Sequence, residues 1–254
     1  MIKPQGQVRV SRMVGKQKPK DMKIDGYTNI VCLTKSTKYG SLSPYELKDE
    51  YGRCIENLWQ FGKCYDKVPS AREIFSRFDQ RVIWEWPAQT HVAYGPNGEA
   101  ILTREYFEWR KAGCNAKDAI RYPVGRKNMS KCLFALAENP DGTVNPKTLD
   151  YVESRKAIYL PLYTRLVQGK PQFEDLKRRL INGENLLIIE IDGPHAESIP
   201  YYQEKYGAPA NWIQQDSILC NKENMTIMLN DHLHPFGHGY CLALALQGID
   251  LLAP

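Results

Sequence analysis

The sequence predicts an α+β fold: a single, predominantly helical domain with a small β-sheet. Three observations point there. The chain has 254 residues, 43% of them hydrophobic, enough for one large core. Several stretches of ten or more residues carry apolar side chains at helical spacing. The clearest β-rich runs, "YTNIVCLT" and "NLLIIEID", lie far apart, and no regular strand–helix–strand alternation joins them.

Taken in order, "VRVSRMV" alternates enough to form a short edge strand, the other reading being a solvated tail. Residues 27–34 form a strand built on Ile30, Val31, Cys32 and Leu33. Gly40, Ser43 and Pro44 mark a turn, followed by a helix over 54–66. A second helix is expected at 70–78, capped by Ser70 with Glu73 closing a capping box. Residues 81–95 are aromatic and β-leaning, 102–113 helical with a glycine stop, and 139–146 a loop. A long helix over 148–169 is expected to kink at Pro161. A helix over 171–183 has proline at its start and glycine past its end. Residues 185–192 form an apolar strand ending in acids, 194–216 are irregular, 226–231 one more strand, and 240–252 an apolar closing helix.

Charge is uneven. Residues 1–23 hold seven lysines or arginines and one aspartate, while the whole chain carries only +5. This predicts a basic N-terminal arm able to neutralise nucleic-acid phosphates, followed by the globular part over 24–254. No apolar run approaches the roughly 18 residues that span a bilayer, so no membrane is expected. The basic start lacks the apolar segment of a secretory signal. Seven scattered cysteines without a CxxC pair point away from a disulfide framework and towards a reducing, cytoplasmic setting. No glycine-rich phosphate loop of Walker or dinucleotide type is present.

Three constellations carry chemistry. In "YGRCIENLWQFGKCY", Glu56, Gln60 and Lys63 stand at i, i+4 and i+7 on one helical face, beside an apolar stripe of Ile55, Leu58, Trp59 and Gly62. The plain reading is a solvated polar stripe. The functional one is a pocket edge, where a carboxylate stabilises an oxocarbenium-like charge or activates water and an ammonium binds phosphate or tunes the carboxylate. In "IIEIDG", Glu190 and Asp192 share one face at a strand end. In "NDHLHPFGHGY", His232, His234 and His238 form an HxHxxxH run, open to metal binding, to phosphate or ribose contact at a helix N-terminus, or to a purely structural turn. The cysteines carry no nucleophile signature and read as buried, inert thiols.

These pieces together resemble the NADAR superfamily of small N-glycosidases linked to NAD and ADP-ribose. Its YG-x-[FL]-S turn is matched by "YGSLS" and its E-x-x-x-Q-x-x-K helix by Glu56, Gln60 and Lys63. The helix pair and acidic strand look like "SRKAIYLPLYTRLVQGKPQFEDLKRRLINGENLLIIEID", and the Gly-rich turn before an apolar helix like "HPFGHGYCLALAL". The likeness covers roughly 27–79, 154–192 and 229–248. Two stretches, near 84–150 and 194–228, read as insertions. "GHGYCLA" stands where the family has N-x-L-G, and D-x-x-W-G is missing after Asp192.

The resemblance implies hydrolysis of the N-glycosidic bond of an ADP-ribosylated or ribosylated base, with ADP-ribose or NAD as ligand and no separate cofactor or metal. Glu56 is the implied catalytic carboxylate and Asp192 or Asp231 the second acid. Gln60, Lys63, Trp59, His238 and Gly239 are the implied substrate contacts, and Trp212 is a further aromatic able to stack on a base. The alternatives are a non-catalytic reader of ADP-ribose or nucleic acid, and a base-exchange or glycosyl-transfer enzyme.

Overall fold

A computed structural model describes residues 5–66, 74–75, 82–85, 90–122 and 130–253. The fold is mixed α and β with several small sheets. The chain divides into two compact units, Met1–Ser43 with Tyr163–Pro254, and Pro44–Leu162, where the sequence suggested one domain. Among the described residues no helix is long and apolar enough to cross a membrane.

The first unit is built on a four-stranded sheet in the order Ser217–Leu219, Val8–Arg12, Asn185–Glu190, Tyr27–Val31. The last three run parallel, and only Ser217–Leu219 is antiparallel. Local alternation missed this parallel character because the paired strands lie more than 150 residues apart in the chain. The apolar run of Asn185–Glu190 suits a central parallel strand covered on both faces, and Leu186 to Ile189 are fully buried.

Val8–Arg12 is an interior strand and neither an edge nor part of a free arm. Arg9 donates through Nε to Ser217 Oγ at 2.9 Å, and Arg12 pairs with Glu197. Asn29 ties down the following segment through the carbonyls of Pro19 and Met22. A boundary at residue 23 therefore has no counterpart here.

Pro171–Ile181 is helical with proline at its first turn, as its sequence requires. Three other segments differ from expectation. Residues 226–231 belong to the helix Lys222–Asn230, capped by Asn221. Met225, Met228 and Leu229 are its buried face, a helical spacing hidden in too short a window. Residues 194–216 contain the 3-10 turn Ala196–Ser198 and the helix Ile199–Tyr206. The closing helix runs over His238–Gln247 and stops at Gly248.

The second unit starts with the helix Ile55–Phe61, which leads into the strand Lys63–Tyr65. That strand pairs with Cys132–Glu138, which in turn pairs with Val144–Leu149. The strand Val144–Leu149 takes up part of the expected 139–146 loop and the first residues of the expected 148–169 helix. The helix Arg104–Cys114 packs on Ile55–Phe61, with the rings of Phe61 and Trp109 centred 4.4 Å apart. Gly113 lies inside that helix and does not stop it. A Cβ there would fall 2.0 Å from the Phe61 ring, so glycine leaves the room Phe61 occupies.

Ile74–Phe75, expected in a helix, pairs as a strand with Val82–Glu85. Ser70 and Glu73 lie outside the described residues. Pro161 produces a widened π turn over Arg155–Tyr159, in which Leu160 N–H donates to Arg155 O. The proline lacks a donor and crowds the carbonyl four residues back, and a π turn accommodates both.

Candidate functional site

In the second unit, the polar residues of the Ile55–Phe61 helix are buried along with Ile55 and Phe61, and the helix expected over 54–66 ends before Lys63. Glu56 is 6% exposed and Lys63 8%, with Gln60 equally closed off. Of the expected apolar stripe, Ile55 and Gly62 are buried, while Leu58 and Trp59 are only half-buried. The solvated-stripe reading is thereby overturned.

The three side chains form a relay. Gln60 Nε2 donates to Glu56 Oε1 at 2.6 Å, and Lys63 Nζ donates to Gln60 Oε1 at 2.9 Å. The charges at both ends set the orientation of the amide: its NH₂ must face the carboxylate and its oxygen the ammonium. Glu56 also lies in the first turn of its helix, where the helix dipole favours a negative charge.

Lys63 Nζ sits 4.4 Å from the centre of the Trp59 ring, a cation–π contact. Trp59 in turn meets Tyr159 and Tyr151, with ring centres 5.2 and 6.4 Å away. Tyr159 closes the π turn, and Arg155 of the same turn stacks 4.1 Å from the Tyr151 ring. Burial lowers the Lys63 pKa to about 8, although Cys132 and Glu56 oppose the shift. Losing hydration costs the ammonium more than its neighbours restore.

Asn57, which sequence reading passed over, is fully buried and accepts from Ile120 N–H at 2.7 Å while donating to Asp118 O. It ties the same helix to the strand Ala119–Ile120. Nothing in its local spacing marks it, since its partners lie about 60 residues away.

In the first unit the central residue is Glu190, at the carboxyl end of the middle parallel strand. Its Oε1 accepts from Ile191 N–H at 2.8 Å and Asp192 N–H at 3.3 Å. Its Oε2 accepts from Gly239 N–H at 3.0 Å and pairs with His238 Nδ1 at 2.6 Å. Burial alone would raise the Glu190 pKa; His238 and the backbone donors outweigh burial and hold it below the usual carboxylate range.

His238 is displaced the other way. Burial would lower its pKa, but Glu190 and the Cys32 carbonyl raise it. A carbonyl can only accept, so the 3.2 Å contact of Nε2 with Cys32 O requires a proton on that nitrogen. With Nδ1 donating to Glu190, the ring is an imidazolium. A Cβ at position 239 would stand 3.2 Å from Glu190 Cβ, and glycine lets the helix come this close.

His238 and Gly239, expected as substrate contacts, are engaged within the protein. The N–H of Gly239 and Nδ1 of His238 serve the protein's own carboxylate, which would also repel a phosphate, and His238 Nε2 serves the Cys32 carbonyl. Asp192 lies beyond the end of the strand, half-buried, so the alternation that was to place it beside Glu190 has stopped. Its Cβ stands 3.0 Å from where a Gly237 side chain would begin.

Asp231 is fully buried. It accepts from Tyr201 OH at 3.0 Å, Tyr202 OH at 2.7 Å, Leu233 N–H at 2.9 Å and His234 Nδ1 at 2.5 Å. Against the upward push of burial, His234 and Tyr202 keep its pKa below the usual carboxylate range. Four donors fill a carboxylate, so the oxygens of Asp231 are occupied within the protein.

The three histidines of HxHxxxH diverge. His232 meets Lys205, His234 meets Asp231 and Ser198, and His238 meets Glu190. Among the described residues no group of three or more His, Cys, Asp or Glu could hold a metal ion. Trp212 is core, donating from Nε1 to Asn224 at 2.8 Å. Glu56, Gln60, Lys63 and Trp59 thus belong to one unit, and Asp192, Asp231, His238 and Gly239 to the other.

Compared with known proteins, the chain matches no family model, no curated protein and no solved structure.

Proposed function

We propose that the protein is an N-glycosidase that hydrolyses the N-glycosidic bond of an ADP-ribosylated or ribosylated base. The observation that supports this best is the buried Glu56–Gln60–Lys63 relay with its ammonium against Trp59. Burying a carboxylate on a short helix and an ammonium on the strand that follows it is costly unless they are paired and hydrogen-bonded. The carboxylate answers the electrostatic need of this reaction. As the C1′–N bond breaks, its electron pair leaves with the base and the ribosyl carbon becomes cationic. Glu56 stabilises that charge and directs a water onto C1′, and the proton lost by the water balances the departing base. Lys63 holds a phosphate or tunes Glu56, Gln60 keeps the two aligned, and the half-buried Trp59 offers a ring to the base.

A binding role without turnover draws support from one feature, the near-complete closure of Glu56 by its surroundings. The test is release of free base from a ribosylated nucleoside or ADP-ribosylated DNA, resolved by chromatography. Release supports hydrolysis. Incorporation of an added acceptor base points to transfer, and ADP-ribose binding without release points to a reader.

A nucleic-acid partner would engage the exposed Lys16, Lys18, Lys20 and Lys23, since Arg9 and Arg12 are committed within the protein. Replacing these four lysines by alanine should leave folding intact and reduce the salt dependence of DNA or RNA binding by about four counterions. An unchanged slope in a salt titration would remove nucleic acid from the account.

A further inference from the structure

One cluster in the first unit takes no part in the proposed N-glycosidase. Ser198 ends the 3-10 turn Ala196–Ser198 and precedes the helix Ile199–Tyr206. Its Oγ lies 2.9 Å from His234 Nε2. The other ring nitrogen, Nδ1, lies 2.5 Å from Asp231 Oδ2. A carboxylate only accepts, so Asp231 places the proton of His234 on Nδ1 and leaves Nε2 to accept from the serine hydroxyl.

This is the arrangement of nucleophile, base and orienting acid that activates a serine. Burial is graded to suit it. Asp231 is fully buried and His234 8% exposed, while Ser198 is half-buried and open to a reactant. Tyr202 fixes the acid by donating to Asp231 at 2.7 Å. The ring of His195 lies 4.6 Å from that of His234, which helps keep the base in place. Arg12 reaches the same turn, bonding both oxygens of Glu197 at 2.7 and 2.9 Å. Its buried Nε–H has no hydrogen-bond acceptor among the described residues.

We infer that Ser198, His234 and Asp231 form a serine nucleophile site that hydrolyses carboxylic esters. Ser198 Oγ adds to the ester carbonyl while its proton passes to His234 Nε2. The C–O bond to the leaving alcohol breaks, and the alcohol oxygen takes that proton. Water then adds to the acyl-serine and gives a proton to His234. The acid departs as Ser198 Oγ recovers the proton.

The test uses the full chain with a fluorophosphonate probe, peptide mapping of the label, and hydrolysis of p-nitrophenyl acetate. Ser198→Ala removes only a half-buried hydroxyl and should fold as wild type by circular dichroism. Labelling is expected at Ser198, absent in Ser198→Ala and strongly reduced in His234→Gln. Ester hydrolysis in Ser198→Ala should fall by a factor of about 10³ or more. Failure of folded wild type to label at Ser198 overturns the inference. So does ester hydrolysis by Ser198→Ala at the wild-type rate. Neither readout involves base release, so this inference and the N-glycosidase reading stand or fall separately.

Discussion

Among the described residues, each unit buries one glutamate almost completely, Glu56 in the second and Glu190 in the first, and they are held in different ways. Glu56 is held by side chains four and seven residues on, through an amide that ends on an ammonium. Glu190 is held by the two residues after it and by a helix start some 48 residues away. The first arrangement leaves a cation whose pKa is lowered to about 8, close to where enzymes work. The second is a completed internal cap, with carboxylate, imidazolium and backbone donors satisfying one another. A buried charge is thus no sign of function by itself.

The comparison breaks most directly at Glu190. Glu190→Ala should destabilise the protein by about 3–5 kcal/mol, because it leaves the His238 imidazolium buried without its counter-charge. Urea denaturation measures this, and a loss under 1 kcal/mol would mean that the cap is not a buried ion pair.

Next in size is a pH effect on the second unit. His91 is buried, accepts from Tyr65 N–H through Nδ1 at 3.2 Å, and has its pKa lowered by burial to about 4. Below about pH 6.5 the unfolded imidazole takes a proton that the folded one refuses until about pH 4. The unfolded state then binds more protons, so stability falls as pH drops through that window, by about 3 kcal/mol in all. The raised His238 has the reverse sign: its contribution is complete below pH 6.5 and is lost as pH rises through its folded value. Proton NMR should show His91 still neutral at pH 5 and His238 still protonated above pH 6.5. Two rings titrating together near 6.5 would erase the distinction.

A smaller effect is expected within the relay. Gln60→Leu keeps the volume but leaves Glu56 and Lys63 without the amide between them, at a cost of about 1–3 kcal/mol. Equal stability of this variant and wild type in urea would show that the relay is not formed in solution.

These contrasts also explain what could be read from the sequence. The Glu56–Gln60 pair was legible because helical spacing brings the two together, whereas Lys63 joins them from the strand that follows, past the end of the helix expected over 54–66. The helix Pro171–Ile181 and the apolar strand Asn185–Glu190 were legible for the same local reasons. What spacing could not show was that the polar residues are buried too, since that depends on elements far along the chain. Glu190 was noticed as one of two acids, but its cap depends on Gly239, far along the chain. The interior place of Val8–Arg12 was hidden because its neighbours come from residues 185–190 and 217–219. The pairing of Ser198 with His234 spans 36 residues and has no sequence signal.

The central claim is that the buried carboxylate of Glu56 is catalytic, and Glu56→Gln tests it most directly. The change keeps size and a hydrogen-bonding side chain but removes the negative charge. The account predicts a normally folded protein that binds ADP-ribose as wild type does and releases base about 10²–10³ more slowly. Base release at the same rate from wild type and Glu56→Gln would contradict it.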